Sequence, residues 1–254
     1  MSRKHIKLSK TSSLHYAKLL FRSSLFLTML IIYIVDRCRV VPQYPIDEFA
    51  QHPGMRSFIW ALFALEIVLR FFPDKLESMG CQKQFLRNYH PSPHPTAHRN
   101  DKHSTAIAAA AWLSLNAIIG ALYFTHIIDR NILLLICLAY SVCDMICILF
   151  FCPFQTWILK NKCCVTCRIY NWDYAMMFTP LLFMPSLFNW SLLSLAIALL
   201  IKWEWIYHDH PERFYEESNC SLRCTNCHEH LCSHKKQLQA FHRKLLHLKK
   251  EQAD

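Results

Sequence analysis

Glycine is scarce in this sequence, and its scarcity excludes several classes of enzyme. Only three glycines occur among 254 residues, which leaves little scope for a glycine-rich loop that approaches the phosphates of a nucleotide. A Ser-His-Asp arrangement with a recognisable nucleophile elbow is also lacking. So are the paired aspartates that are typical of intramembrane prenyl or phosphatidyl transferases. We therefore expect none of these three chemistries.

A long polar segment is lacking too, so a large soluble domain is not expected. The longest polar stretch is the tail at 208–254, whereas hydrophobic residues make up 53% of the chain and are gathered into blocks. A hydrocarbon core about 30 Å thick needs roughly 20 apolar helical residues to cross it. The sequence therefore predicts an all-α fold, a polytopic helix bundle integral to a cell membrane or inner membrane.

The apolar blocks predict about six transmembrane helices. The block from Tyr174 to Tyr207 is too long for one span and contains Pro180, Pro185 and the polar Asn189, so we expect a tight helical hairpin that turns at Asn189. No small-residue cleavage site follows the first block, so we expect it to be retained as a span. The predicted spans are 19–35, 57–72, 104–128, 132–152, 174–188 and 190–207.

Basic residues predict the orientation of the bundle. Most lysines and arginines fall in the segments 1–18, 73–103, 153–172 and 208–254, which the six-span arrangement puts on one side. The loops on the opposite side hold only Arg37, Arg39, Arg56 and Arg130. Because loops rich in lysine and arginine stay in the cytosol, we expect both termini to be cytosolic. The formal charge of +10 is scattered beside the spans, which favours anionic membrane lipids as partners and not nucleic acid.

Two groups of cysteines predict a metal site in a small cytosolic Cys-rich region. Cytosolic thiols are kept reduced, so cysteines clustered there need a reason other than disulfides. Cys-x2-Cys turns in the loop 153–172 and in the tail can supply four thiolates to one ion. The tail cysteines alone can hold an iron-sulfur cluster, and nearby histidines can bind Zn²⁺. The sequence does not decide between an iron-sulfur cluster and Zn²⁺. The candidate ligands are Cys163, Cys164, Cys167, Cys220, Cys224, Cys227, Cys232, His228, His230 and His234.

A second candidate site lies inside the predicted spans. A carboxylate within a span costs several kcal/mol unless it is paired or hydrated, so Asp144 is a functional candidate. Glu66 and Arg70 are four residues apart on the second span, which lets them pair with each other and approach Asp144. The neighbouring cysteines at 137, 143, 147 and 152 are expected to pack as small hydrophobes. Arg168, beside the predicted metal ligands, is a candidate for binding an anionic group together with Arg70.

These features lead to three hypotheses for function. The first is a redox metalloprotein that moves electrons from a protein partner to a lipid-phase substrate such as a quinone, with Asp144 and Glu66 handling protons. The second is a scaffold or assembly factor with a structural zinc site, whose basic amphipathic helix at Lys235–Lys250 recruits a protein partner. The third is a metal-ion transporter, which the lack of an evident internal repeat supports weakly. The sequence leaves open whether the protein is an enzyme.

Overall fold

The architecture was taken from a computed structural model, which describes residues 10–38, 53–73, 85–93, 102–160 and 167–226. The regular elements in these ranges are helical, and one isolated bridge joins Pro91 to Asn219. The all-helical expectation is therefore confirmed for the described residues. The α-helices are α1 (Lys10–Cys38), α2 (Pro53–Phe71), α3 (Lys102–Phe124), α4 (Arg130–Leu149), α5 (Asp173–Phe178) and α6 (Leu187–Asp209).

Four of these helices have the length and composition of membrane spans. They contain the apolar segments Ser13–Val35, His103–Phe124, Arg130–Leu149 and Leu187–Asp209. Large apolar side chains also point outward from them, as shown by Leu20, Leu113 and Leu187, which are 72%, 63% and 84% exposed. Apolar surface of this extent is unfavourable in water and favourable against lipid. The structure thus agrees with a helical membrane protein.

Helix α2 differs from these four because charged residues interrupt its apolar face. Its 19 residues include Arg56, Glu66 and Arg70. The helix nevertheless packs against α6, and Phe63 and Ile67 are buried in the largest core cluster. Its charges therefore occur on a helix that belongs to the bundle.

The chain between α4 and α6 folds into a helical hairpin. Its first arm comprises the 3-10 helix Arg168–Trp172, then α5, then the 3-10 helix Thr179–Phe183. The second arm is α6. The beginning of the first arm lies beside the end of the second, because Arg168 Nη2 is 2.6 Å from Glu204 Oε2. The two arms are therefore antiparallel.

The predicted position of the hairpin turn is wrong. The chain reverses between the end of the first arm and Leu187, and Asn189 already lies in the first turn of α6. Proline cannot continue a helix and disfavours a helical conformation in the residue before it, so Pro185 ends the first arm at Met184. The Asn189 amide donates to the Met184 carbonyl at 3.1 Å, and so it stabilises the turn from within the helix.

A small cap covers the end of the bundle at which α6 finishes. It consists of residues 85–93 and 211–223. The Phe85 and Phe214 rings are 4.2 Å apart, and the Trp203 ring of α6 packs against both. Backbone hydrogen bonds from Ser92 to Ser218 and from Cys220 to His90, each 2.9 Å long, join the two segments. The loop after α2 and the beginning of the tail therefore lie at the same end of the bundle.

Candidate functional site

A polar stripe on α1 forms the starting point of the site. His15, Lys18 and Arg22 are spaced by three and four residues, which places them on one face of a helix. This helix packs against α4. His15 and Arg22 are almost fully buried, at 1% and 2% exposed. The first span therefore brings charge into the bundle interior, although most of its length is apolar.

Arg22 joins the two acids that the sequence singles out. Its Nη2 donates to Glu66 Oε2 at 2.9 Å, and its Nη1 donates to Asp144 Oδ2 at 3.0 Å. Nη1 also donates to the Ser141 carbonyl at 3.1 Å. The planar guanidinium can address two carboxylates at once in a way that an ammonium cannot. One cation thus links α1, α2 and α4.

Glu66 has further partners besides Arg22. Lys18 Nζ lies 2.9 Å from its Oε1, and the Tyr174 hydroxyl donates to its Oε2 at 2.7 Å. Both oxygens of this carboxylate are therefore hydrogen-bonded. Because Tyr174 belongs to α5, the contact also attaches the hairpin to α2.

Arg70 has a separate acid partner on the hairpin. Its Nη1 lies 2.5 Å from Asp173 Oδ2, and its guanidinium sits over the Tyr174 ring at 4.3 Å from the centroid. This side chain is 2% exposed. Arg70 was predicted to bind an anionic group, and in the structure that group is the carboxylate of Asp173.

These contacts form two sets of ion pairs, which Tyr174 links through its hydrogen bond to Glu66 and its ring contact with Arg70. We call the two sets together the ion-pair network, which comprises Lys18, Arg22, Arg70, Glu66, Asp144 and Asp173. It contains three cations and three carboxylates, so it is neutral when all six are ionised. Charges are tolerated inside a bundle when they are paired and hydrogen-bonded in this way. The network connects α1, α2, α4 and the first arm of the hairpin.

The sequence predicted two of the three acids of this network but missed Asp173 and the central cation. Asp144 and Glu66 were expected to share a polar pocket, and both do contact the same guanidinium. Arg22 was overlooked because it lies close to the basic residues of the N-terminal segment and was counted with them as a cytosolic charge. The signal that identifies it is the His15, Lys18, Arg22 spacing within a helix-forming segment.

A cavity of about 270 Å³ adjoins the network on one side. It lies between α3, α4 and the first arm, and we call it the thiol cavity because four cysteines line it. Asp144 also lines this cavity, whereas Glu66 does not. The lining residues with polar or aromatic groups are Trp112, Tyr140, Cys143, Asp144, Cys147, Cys152, Phe154, Gln155, Cys167, Tyr170 and Asp173.

One lining group of the thiol cavity lacks a partner. The Tyr140 hydroxyl is buried and has no hydrogen-bond partner among the described residues. Its ring packs against Trp112, with the centroids 5.1 Å apart. A buried hydroxyl without a partner costs free energy. Tyr140 is therefore a residue of the cavity wall whose hydroxyl has an unmet hydrogen bond.

The predicted metal ligands are only partly within the described chain. Cys167 is buried at 6% exposure and lines the thiol cavity, while Cys220 is half-buried in the cap. The position of Cys224 is described but its side chain is not. In the ranges that the structure covers, no group of three or more His, Cys, Asp or Glu side chains is arranged to hold a metal. Outside them lie Cys163, Cys164, Cys227, Cys232, His228, His230 and His234.

Arg168 occupies the junction between the two cysteine segments. Besides the contact with Glu204, its guanidinium stacks over the Tyr207 ring at 3.8 Å from the centroid. The Tyr207 and Tyr215 hydroxyls are 2.5 Å apart, which continues the chain of contacts toward the cap. The charge of Arg168 is thus neutralised by Glu204. The contacts with Glu204 and Tyr207 explain the position of Arg168 without an external anion.

The cysteines of α4 show two environments. The Cys137 thiol donates to the Met177 carbonyl at 3.3 Å and lies in the main core cluster, as expected for a small packing residue. Cys143 and Cys147 instead line the thiol cavity together with Cys152. The spacing of these cysteines along the helix does not predict which of them pack in the core and which line a cavity. That difference depends on how the neighbouring helices pack against α4.

No protein-family model matches this sequence, and no curated protein or solved structure matches it either. The ion-pair network, the thiol cavity and the cysteine segments are therefore the basis for assigning a function.

Proposed function

We propose that the protein is an integral membrane redox metalloprotein that reduces a lipid-phase quinone in the thiol cavity. Electrons come from a protein partner at the cytosolic face and pass through an iron-sulfur cluster held by the cysteines of the loop and the tail. The observation that carries this proposal is that Cys167, a candidate metal ligand, and Asp144 line the same cavity.

The cavity has the chemistry that a quinone needs. Its walls are mostly apolar, and they come from α3, α4 and the hairpin. A quinone carbonyl is a hydrogen-bond acceptor, and Tyr140, a lining residue whose hydroxyl has no partner among the described residues, is the donor that we assign to it. Reduction to the quinol takes two electrons and two protons. We assign the Asp144 carboxyl group as a proton relay, which takes up each proton from water and passes it to a reduced oxygen, and Glu66 holds Asp144 in position through Arg22.

The arrangement of the two cysteine segments also favours a shared site. Cys167 directly precedes Arg168, whose contacts with Glu204 and Tyr207 bring the loop to the end of α6. The tail leaves from that same end and reaches Cys220 in the cap. Cys164 lies three residues before Cys167, and Cys224 and Cys227 lie four and seven residues after Cys220. The two Cys-x2-Cys turns are therefore close in sequence to these two points, which favours one four-thiolate site.

Six membrane crossings are part of this proposal. The first arm of the hairpin is short in residues, but the 3-10 helices in it rise more per residue than α-helix, and 16 residues of this composition extend over about 29 Å. Helix α2 has a similar length of about 28 Å. Its charges are neutralised within the ion-pair network, apart from Arg56 at its beginning. An even number of crossings keeps both termini on the cytosolic side.

The metal is tested by purifying the full chain without oxygen and recording its visible spectrum together with its metal content. We expect iron and broad visible absorbance, both of which are lost in Cys164→Ser and Cys227→Ser. Cys38→Ser is the matched control, because Cys38 is exposed at the end of α1 and belongs to neither segment. A colourless protein that contains zinc would contradict the redox assignment.

Proton delivery is tested with Asp144→Asn and a ubiquinone analogue. We expect the dithionite-reduced wild type to be reoxidised by the quinone, and the variant to be reoxidised at least about a hundredfold more slowly, because general acid catalysis contributes about that much. Asp209→Asn, on the exposed end of α6, is the control. Equal rates in wild type and Asp144→Asn would remove Asp144 from the mechanism. A folded state is checked by the elution volume and by retention of iron.

A structural zinc site is the second candidate, and the cap is the observation that favours it. Residues 85–93 and 211–223 already form a small packed unit around Phe85 and Phe214, beside the tail cysteines. Zinc bound there would fix the tail to the loop and support a scaffold that recruits a protein partner. Under this alternative, chelation lowers the thermal stability and no quinone is reduced.

A further inference from the structure

A second cavity opens at the opposite end of the bundle from the ion-pair network and extends inward to Ser141, whose carbonyl accepts a hydrogen bond from Arg22. Its volume is about 160 Å³, and α1, α2, α4 and the hairpin form its walls. Arg56 at the start of α2 and Arg130 at the start of α4 both line it. Because these residues precede Glu66 and Asp144 by about 15 and 21 Å along their helices, the cavity mouth is far from the network. We call it the arginine cavity.

The two arginines at this mouth have no acid partner among the described residues. None of the ion pairs in that part of the chain involves Arg56 or Arg130, and Arg56 Nε is buried without a hydrogen-bond partner. The Arg56 guanidinium lies over the Phe188 ring at 4.4 Å from the centroid. The nearby carboxylate of Asp129 accepts a hydrogen bond from the Ile132 backbone and caps α4. Two guanidinium groups are therefore available to an anion.

The remainder of the arginine cavity is apolar and elongated. On α4 its lining extends from Arg130 through Leu134 and Leu138 to Ser141, a distance of roughly 16 Å along the helix axis. Aromatic rings of α2 and the first arm, Trp60 among them, complete the wall. A mostly apolar cavity with two arginines in its lining at one end matches an acyl chain that carries an anionic head group.

We propose that the arginine cavity binds an anionic amphiphile, with a carboxylate or phosphate between Arg56 and Arg130 and one acyl chain along α4 toward Ser141. This site is separate from the thiol cavity and does not depend on the redox assignment. A fatty acid and an anionic phospholipid share this chemistry. A quinone does not, because it has no negative charge to pair with two guanidinium groups.

Binding can be measured by tryptophan quenching in the delipidated full chain in a neutral detergent. The probes are dibromostearate, its methyl ester, and phosphatidylglycerol and phosphatidylcholine with brominated chains. Trp60 lines the cavity and donates to Ser191 Oγ at 2.9 Å, so bromine in the cavity quenches its emission. We expect saturable quenching by dibromostearate, and little quenching by the uncharged methyl ester or by phosphatidylcholine.

Variants then locate the site. Arg56→Gln with Arg130→Gln is expected to weaken binding by about tenfold or more, since two charge-assisted hydrogen bonds are lost. Arg56→Lys with Arg130→Lys keeps the charges and should bind more tightly than the glutamine pair. Arg37→Gln, at the exposed end of α1, is the control and should bind as wild type does. In Trp60→Phe the saturable quenching should disappear while the other tryptophans still emit.

Three results would overturn the proposal: equal binding by the glutamine pair and wild type, equal quenching by the acid and its methyl ester, or saturable quenching that persists in Trp60→Phe. The phospholipid arm identifies the source of the anion. Quenching by brominated phosphatidylglycerol supports a membrane lipid as the ligand. Quenching by dibromostearate alone supports a free fatty acid.

Discussion

At the scale of single residues, Arg22 joins three helices through its guanidinium group. It is 2% exposed and contacts Glu66, Asp144 and the Ser141 carbonyl. A buried cation with two carboxylate partners differs from a surface salt bridge, which is worth little because water screens it. Removing one partner of a buried pair leaves an uncompensated charge.

Arg22→Leu is therefore expected to lower the free energy of unfolding by about 3–5 kcal/mol, as measured by denaturant titration in mixed micelles. Adding Asp144→Asn should restore part of the loss, because Glu66 keeps Lys18 and Tyr174 as partners. Arg37→Leu on the exposed end of the same helix is the control. If Arg22→Leu were as stable as Arg37→Leu, the network would not stabilise the bundle.

Residue identities also show why part of the site was predictable and part was not. Asp144 was identified because an acid stands out in an apolar run, and a charge there needs a partner. The partner itself comes from another helix, and only the packing of α1 on α4 reveals it. The unsatisfied Tyr140 hydroxyl was also not predictable, because burial depends on what α3 and the hairpin leave uncovered.

At the scale of helices, α3 approaches the hairpin closely at a glycine. Gly120 is buried, and a Cβ atom placed on it would lie 2.5 Å from the tip of the Phe183 ring. This distance is far shorter than a normal contact between carbon atoms. A small residue at this point therefore allows α3 to pack against the end of the first arm, as small residues do between membrane helices.

Gly120→Leu should accordingly destabilise the protein by about 1–3 kcal/mol or more, since overpacking a filled interface moves its neighbours. Ala117→Leu adds the same side chain to an exposed position on the same helix and should change the melting temperature little. Combining Gly120→Leu with Phe183→Ala makes room for the new side chain and should recover stability. Failure of that rescue, with equal stability of the two single leucine variants, would contradict the contact.

The helices themselves were predicted better than their ends. Length and apolar composition identify α1, α3, α4 and α6, and each contains a candidate span. The hairpin was expected from Pro180 and Pro185, and its antiparallel arms agree with that expectation. Its turn was misplaced because Asn189 resembles a turn residue, although its amide bonds back to Met184 from inside α6. Local hydrogen bonding of this kind is not apparent from residue type.

At the scale of the whole molecule, the segments that meet at each end of the helix bundle show which parts of the chain share one side of the membrane. The cap joins the loop after α2 to the tail, and the ends of the hairpin arms meet beside it. Arg56 and Arg130 lie at the other end. The uneven distribution of basic residues predicts that the cap is cytosolic.

This sidedness predicts the behaviour of reporter fusions. A fluorescent protein that folds only in the cytosol should be active when it is fused to either Met1 or Asp254, and alkaline phosphatase should be inactive at both sites. Phosphatase inserted at residue 43, between α1 and α2, should be active and serves as the matched control. Opposite results for the two termini would require an odd number of crossings and would contradict the six-span arrangement.

The ion-pair network also has a consequence for biosynthesis. Arg22 and Asp144 are 122 residues apart, and a ribosome takes roughly 6–24 s to add that many residues at typical rates of synthesis. During this interval α1 has emerged with Arg22, while α4 and its carboxylate have not yet been made. The Glu66 carboxylate is made earlier, since it lies only 44 residues after Arg22. Arg22 therefore gains its two carboxylate partners in two steps during synthesis, the first with α2 and the second with α4.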